Sequence, residues 1–153
     1  LHDIGNLVNR KDHAQSGALM AQQILVRLGM PYHEVAAVVA AIGHHDESVA
    51  EPVTPIAAAL IIADKSDVRR TRVRNQDKTT FDIHDRVNYS VRHSALSINE
   101  DRTFVQLSLS VDTHYGSVMD YFEIFLGRMV MCRKAADKLG LQFKLNINGQ
   151  MLI

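Results

Sequence analysis

The sequence is poor in the features that mark secreted, membrane-spanning or nucleic-acid-binding proteins. One cysteine, Cys132, stands among 153 residues, so no internal disulfide can form, and a lone thiol suits a reducing compartment. The 17 basic residues balance the 17 acidic residues, which leaves no global field to attract nucleic acid or an anionic membrane surface. Apolar runs such as Ile56 to Ala63 fall far short of the ~20 residues that a membrane span requires, and no signal-peptide pattern is present. We therefore expect a cytoplasmic globular protein with no membrane partner.

The first half of the chain has the apolar periodicity of helices. Hydrophobic residue types make up 46% of the sequence, enough to bury a real core. A first helix is predicted to begin with Asp12 as its N-cap, and a second is predicted to end at His44. After a loop from Asp46 to Val53, Thr54 is the predicted N-cap of a third helix with proline at its first position. We predict an all-helical domain over residues 1–76.

The second half is predicted to be a smaller α+β domain over residues 77–153. A short helix is expected from Asp82 to Val91, and the alternation of apolar and polar residues from Val105 to Val111 is typical of a half-buried strand. A helix from Ser117 to Leu139 is apolar on two faces, and the dipeptide Asn148-Gly149 near the end of the chain is a hairpin signal. The predicted fold class is mainly α: a helical core, then antiparallel strands packed on one long helix.

Several polar residues in the helical half occupy positions that apolar patterning alone would not fill. They are His2, Asp3, His13, His44 and Asp64. Each has a simpler explanation on its own, because a lone histidine on a helix is usually a hydrogen-bonded core residue and an aspartate can be an exposed charge or a cap. Together, however, imidazoles and carboxylates on short helices form a ligand set that Zn, Fe, Mn or similar cations select. A metal ion would also balance a carboxylate that is held away from water.

The order of these residues resembles the HD-domain superfamily of metal-dependent phosphohydrolases. The resemblance covers about residues 1–74 and includes the tetrapeptide His-Asp-Ile-Gly and a later Ala-Asp-Lys. It implies an all-helical HD core with a primary metal site and a second metal site. The implied ligands are His2, Asp3 and Asp64 for the first site and His13 and His44 for the second.

Two features depart from the family pattern. The family supplies another metal-binding histidine from an upstream helix, whereas this sequence starts at Leu1, directly before the His-Asp pair. We expect that an upstream segment is missing or that the metal site is incomplete. The subclass that hydrolyses cyclic dinucleotides has a lysine in place of Asn6 and a Gly-Tyr-Pro signature that is absent after Asp46. That substrate class is therefore disfavoured.

The resemblance implies hydrolysis of a phosphate ester with one or two divalent metal ions per chain. A bound cation lowers the pKa of its water from about 15.7 towards ~7 and polarises a phosphoryl oxygen, so metal-bound hydroxide would attack phosphorus. Asp3 and Asp64 are the catalytic candidates, because the second oxygen of each carboxylate could orient the attacking water. We expect the substrate to be a small phosphorylated metabolite, and specifically a nucleotide. The sequence does not distinguish among Fe, Mn, Zn, Ni and Mg.

The doubled histidines at positions 44 and 45 have to be weighed against each other. Adjacent residues on a helix diverge by about 100°, so both rings point the same way only if the helix ends between them. We expect His44 to be the metal ligand, and His45 to be a second choice as ligand or a contact to substrate.

A basic run follows Asp64. Between Lys65 and Lys78 the sequence has six basic and two acidic residues. The simpler explanation is a solvated continuation of the third helix, whose cations complement the negative end of the helix dipole. Lys65 is adjacent to a proposed ligand, however, and Arg72 lies two helical turns further on. We predict that these two side chains bind substrate phosphates. Aromatic residues are not interleaved with the cations, which disfavours nucleic acid as a partner.

Two further expectations concern turnover and association. The alternative to an enzyme is an HD-type regulatory or interaction protein with weak or no catalytic activity, as the missing upstream histidine suggests.

The long helix, apolar on a second face, predicts a homodimer in which Met119, Leu126 and Val130 form the contacts. The same face could instead pack on the helical half within one chain.

Overall fold

The chain forms an α+β fold in a computed structural model that describes residues 1–47 and 51–153. The described helices are α1 (His13–Arg27), α2 (Tyr32–Gly43), α3 (Pro55–Ser66), α4 (Ile83–Ser90) and α5 (Val118–Lys138). Short 3₁₀ turns occupy Ile4–Leu7, Arg70–Arg72 and Lys78–Thr80. The strands are β1 (Val91–Ile98), β2 (Phe104–Val111), β3 (Gln142–Ile147) and β4 (Gln150–Met151). Among the described helices, none is long and apolar enough to cross a lipid bilayer.

The helices of the first half begin with different kinds of cap. The prediction for α3 is confirmed, because the Thr54 hydroxyl accepts a hydrogen bond from the backbone N–H of Ala57 and Pro55 follows at the first helical position. The prediction for α1 is wrong in its chemistry. Asp12 does precede the helix, but it has a left-handed backbone (φ 59°) and its side chain makes no capping hydrogen bond. The predicted loop from Asp46 to Val53 lies partly outside the described residues.

The third helix is shorter than the sequence predicts. It ends at Ser66, because Asp67 has a ψ of 77° and leaves the helical region. The carboxylate of Asp67 pairs with Arg69 and Arg72. Arg69 directly precedes the separate 3₁₀ turn Arg70–Arg72, and Arg72 is the last residue of that turn. Arg72 is therefore not on the same helical face as Asp64, and its position depends on this turn.

The sheet is mixed, with the strand order β1-β2-β3-β4. The predicted antiparallel arrangement is wrong for one pair: β2 and β3 run parallel, with Leu107 opposite Leu145. The reason is α5, which lies between these strands in the chain and carries it back to the starting edge, as a parallel pair requires. Strand β1, which pairs antiparallel with β2, follows α4 directly and was not predicted. The hairpin signal is confirmed, since Asn148 and Gly149 have positive φ and join the antiparallel strands β3 and β4.

The main hydrophobic core joins the sheet to α5 and α3. One face of β2 is buried, and the buried stripe of α5 that packs over the sheet includes Phe125 and Met129. A reciprocal capping box between Ser117 and Asp120 fixes the start of α5. Residues Ala58, Ile61, Ile62 and Val68 of the first half belong to the same core. The predicted domain boundary at residue 76 thus does not coincide with a break in the core.

A candidate metal centre

A glycine contact brings the start of the chain onto α1. A Cβ added to Gly5 would lie 2.0 Å from the carbonyl oxygen of His13 and 2.7 Å from the backbone nitrogen of Gly17. Any larger residue would push the 3₁₀ turn Ile4–Leu7 away from the helix. Gly17 completes the contact, because its own Cβ would be 3.2 Å from the nitrogen of Gly5 and the oxygen of His2. Close backbone approach, the usual reason for glycine at such a point, is what sets Asp3 beside His13.

Three side chains from different segments converge next to this contact. The Asp3 Oδ1 atom is 3.3 Å from His13 Nε2 and 3.7 Å from His45 Nε2, and the two imidazole nitrogens are 3.3 Å apart. Both imidazoles are buried, whereas Asp3 is exposed. Among the described residues, this is the group of histidine and acidic side chains whose ligand atoms lie within 4.8 Å of one another.

Backbone hydrogen bonds orient both imidazoles. The Nδ1 atom of His13 lies 3.0 Å from the carbonyl oxygen of Arg10, and Nδ1 of His45 lies 2.6 Å from that of Ile42. Because a carbonyl oxygen only accepts, each Nδ1 carries a proton in these bonds. With both Nε2 atoms unprotonated, their lone pairs would point inwards. Two facing lone pairs and a carboxylate oxygen cannot satisfy one another with hydrogen bonds. They are an arrangement suited to a cation. The Nδ1 atom of each ring is bonded to a backbone carbonyl, as the second ring nitrogen of a metal-binding histidine usually is.

The spacing of the three ligand atoms also fits a cation. Ligands bound at about 2.1 Å in tetrahedral geometry are separated by roughly 3.4 Å. The observed separations of 3.3, 3.3 and 3.7 Å bracket this value. Two nitrogen ligands and one oxygen ligand suit Zn, Fe, Mn or Ni better than Mg or Ca, which select oxygen ligands. The three side chains are therefore close enough to hold a metal ion.

His2 and Asp64 lie at one side of this cluster. His2 Nε2 is 3.5 Å from Asp3 Oδ2 and 3.6 Å from Asp64 Oδ1, so one imidazole bridges the two carboxylates. The ring of His2 also meets that of His45 edge to face, with 5.3 Å between centroids. The expected primary set of His2, Asp3 and Asp64 is thus contiguous, and Asp3 is the residue it shares with the tighter cluster.

Of the two adjacent histidines, His45 lies in the cluster and His44 does not. Helix α2 ends at Gly43, so the 100° rule between neighbouring helical residues no longer fixes the two rings. His45 turns back over the helix end to bond Ile42 and enters the cluster, whereas His44 is absent from it. The Nδ1 atom of His44 is buried, with no hydrogen-bond partner among the described residues. A helix-based argument could not tell which of the two enters the cluster, because both histidines lie beyond the last helical residue.

Lys65 lies behind Asp64 rather than at the surface. Its Nζ atom is 2.7 Å from Asp64 Oδ2 and 4.0 Å from Glu47 Oε1, and the residue is buried. Arg128 of α5 donates a hydrogen bond to the same oxygen of Glu47, at 2.9 Å between Nε and Oε1. This pairing was missed in the sequence, although adjacent Asp-Lys in an apolar helix is a signal that the two charges are buried together. The predicted substrate contact Lys65 is thus paired with Asp64 and is not in the lining of the cavity beside the cluster.

The charges around the cluster shift two pKa values in ways that favour ligation. Burial raises the pKa of the Asp64 carboxyl, but the hydrogen bond and charge of Lys65, with His2 and His45, outweigh burial and hold that pKa below its usual range. Burial lowers the pKa of His45 against the opposing effects of the Ile42 carbonyl and Asp64. Near neutral pH the carboxylate is therefore ionised and the imidazole is neutral, which are the ligand forms.

A cavity opens on the exposed side of the cluster. Its volume is about 430 Å³, and it is lined by His2, Asp3, Leu60, Ala63, Asp64, Asp67 and Arg72. Arg72 faces it from the 3₁₀ turn, where Nη1 bonds the Oδ2 and the carbonyl oxygen of Asp67. The predicted substrate contact Arg72 is therefore at the cavity, whereas buried His45 belongs to the cluster. A larger groove of about 620 Å³ lies near Ile98 and Leu141, but its lining includes no histidine.

No family model matches this sequence, and no curated protein or solved structure matches it either.

Proposed function

We propose that this protein is a divalent-metal-dependent phosphohydrolase of the HD superfamily. The observation that carries the proposal is the convergence of Asp3, His13 and His45 at distances that fit a cation. The cavity beside it supports a small substrate, because about 430 Å³ accommodates a compact phosphorylated metabolite such as a nucleotide. Cys132, buried as a free thiol, is consistent with a reducing, cytoplasmic setting.

The interatomic distances support a specific ligand assignment. Asp3, His13 and His45 would hold one cation, and His2 with Oδ1 of Asp64 would extend the site to a second one. A bound divalent cation supplies hydroxide at neutral pH and polarises a phosphoryl oxygen. The cluster itself supplies neutral nitrogen donors, which leave the cation its positive charge.

Other side chains at the site would orient the attacking water and bind the phosphate. Oδ2 of Asp64 is engaged by Lys65, so this carboxylate has only Oδ1 for the site. Asp3 also lines the cavity and its side chain is 46% exposed, against 16% for Asp64, so we assign to Asp3 the orientation of the attacking water. Arg72, at the cavity wall, would bind the phosphate through its planar guanidinium.

A phosphatase panel with matched variants tests this assignment. The chelator-stripped chain is reloaded with Mn²⁺ or Ni²⁺ and offered phosphomonoesters, phosphodiesters and nucleotides, with phosphate release as the readout. Metal-dependent turnover that Asp3→Asn abolishes would support the proposal. Asp12→Asn is the control, because Asp12 is an exposed aspartate whose side chain makes no cap and whose left-handed backbone asparagine tolerates. Absence of turnover with every substrate class, in a protein that does bind metal, would overturn it.

The Arg72 assignment has its own control. Arg69 and Arg72 both pair with Asp67, but only Arg72 is in the lining of the cavity beside the cluster. We expect Arg72→Met to raise KM with bound metal unchanged, and Arg69→Met to leave KM as it is. Equal effects of the two changes would show that the basic run acts only through general charge.

The second candidate function is an HD-type regulatory or interaction protein with little or no turnover. The observation that favours it is the short contact between Lys65 and Asp64, because the ammonium occupies a carboxylate oxygen that could otherwise take part in catalysis. In that case metal binding would persist, and the panel would give no phosphate release.

A further inference from the structure

Helix α5 carries an exposed stripe on the side opposite its buried face. Its spacing alternates between four and three residues, which is the heptad pattern of helices that pair side by side. The members of the stripe are Met119, Glu123, Leu126, Val130, Arg133 and Asp137, all exposed. Apolar residues occupy its centre, where Leu126 is 56% exposed and Val130 is 37% exposed. This stripe is separate from the proposed metal centre.

The surface around the centre of the stripe is concave and uncrowded. A groove of about 510 Å³ is lined by Glu47, Leu126, Gly127, Val130, Met131 and Lys134. Among the described residues, and apart from the backbone of α5 itself, a Cβ added to Gly127 would meet no atom within 4 Å. A glycine beside Leu126 therefore leaves room for a second helix to approach the α5 backbone closely.

When two copies of the stripe run antiparallel, the residues of one copy are complementary to those of the other. A two-fold axis at position 128 brings position 123 opposite 133 and position 126 opposite 130. Glu123 of one copy then faces Arg133 of the other, twice, on either side of two Leu126–Val130 contacts. The outermost layer, Met119 opposite Asp137, adds no complementarity. A parallel pairing would instead set Glu123 against Glu123 and Arg133 against Arg133, which is unfavourable.

We propose that this stripe is the seam of a homodimer in which two α5 helices pack antiparallel about a two-fold axis near Arg128. The occupant of the groove is thus a second copy of this chain. It is favoured because, in the antiparallel arrangement, the acidic position of each copy faces the basic position of the other and the two apolar positions face each other. Such an interface is isologous, so the same patch serves both copies and the assembly closes at two. This inference goes beyond the proposed hydrolase activity and does not depend on it.

Charge reversal with sedimentation equilibrium tests both the occupant and the direction of pairing. The wild-type chain is expected to be a dimer at micromolar concentration. Glu123→Arg and Arg133→Glu, made singly, should each raise the dissociation constant by at least about tenfold, because each creates two like-charge contacts across the seam. The double variant Glu123→Arg/Arg133→Glu should recover the wild-type constant. Glu100→Arg, the same charge change as Glu123→Arg at an exposed turn outside the stripe, is the control and should have no effect.

Leu126→Glu gives a second, independent outcome. It should yield a monomer with an unchanged far-ultraviolet circular dichroism spectrum, since Leu126 is exposed in the single chain. A wild-type monomer throughout the micromolar range would overturn the proposal, as would a dimer that Leu126→Glu leaves intact. Failure of the double variant to recover association would overturn the antiparallel pairing, and would point to another segment or partner as the occupant of the groove.

Discussion

The region of the candidate metal centre and the sheet region of this molecule bury different kinds of side chain. Around the centre, the buried residues include His13, His45 and Lys65, each held by a short polar contact. In the sheet region the main core is apolar, with Phe125 and Leu107 among its fully buried side chains. The smaller apolar cluster between α1 and α2 has Ala18, Ala21 and Ile42 as its buried members. The difference indicates that the sheet region supplies most of the stability, whereas the helical region carries a stability cost that a bound cation would relieve.

The largest expected effect on stability lies in the sheet region. Phe125→Ala should lower the free energy of unfolding by about 3–5 kcal/mol, because Phe125 is 1% exposed within the main core and its removal leaves a cavity. Chemical denaturation monitored by circular dichroism measures this change. A loss below about 1 kcal/mol would contradict the assignment of the main core.

Gly5→Ala should break the metal centre with a smaller loss of stability. The added methyl would lie 2.0 Å from the carbonyl oxygen of His13, so the turn that carries Asp3 must move. We expect a destabilisation of about 1–3 kcal/mol and at least a tenfold loss of metal affinity. Gly43→Ala is the matched control, since its Cβ would be in ordinary contact at 3.8 Å from Ala18. Equal metal affinities in the two variants, measured by calorimetric titration, would refute the role given to Gly5.

Lys65→Met tests whether the buried ion pair serves the centre. The variant keeps the apolar length of the side chain but leaves the Asp64 carboxylate without its 2.7 Å partner, at a cost of about 1–3 kcal/mol in the metal-free protein. A bound cation should recover part of that loss, because it offers Asp64 another positive partner. Thermal unfolding with and without Mn²⁺ measures both terms. If the metal stabilises the variant and the wild type equally, Lys65 acts independently of the centre.

The smallest effect is expected at Cys132. Burial raises the pKa of this thiol to about 12, so it should not react with a thiol reagent at neutral pH while the protein is folded. Removing metal with a chelator should leave the reaction rate unchanged, because the main core holds the thiol. A chelator-induced increase in the rate would show that the two regions open together, and that the main core does not keep its stability independently of the metal.

Local patterns in the sequence predicted most elements but not their direction. The alternation from Val105 to Val111 identified β2, and Thr54-Pro55 located the start of α3. Nothing local distinguishes a parallel from an antiparallel partner, since that depends on where α5 carries the chain. Strand β1 escaped prediction because it is a largely exposed edge strand with little alternation of burial.

The sequence predicted which residue types form the candidate site and most of the residues that lie together there. His2, Asp3, His13 and Asp64 lie together as expected, since residue type and order are visible in the sequence. The choice between the two histidines after α2 depended on where that helix ends, which periodicity defines only to within a residue or two. The burial of Lys65 depended on α5 and Glu47, far away in the chain.

Bound metal in two single-histidine variants tests the central claim most directly. His45→Ala and His44→Ala remove the same side chain from adjacent positions, one inside the cluster and one outside it. After loading with Mn²⁺ or Zn²⁺ and removal of the excess, elemental analysis should find wild-type metal in His44→Ala and a clear loss in His45→Ala. Wild-type metal in His45→Ala, with the loss appearing in His44→Ala instead, would contradict the metal centre described by Asp3, His13 and His45.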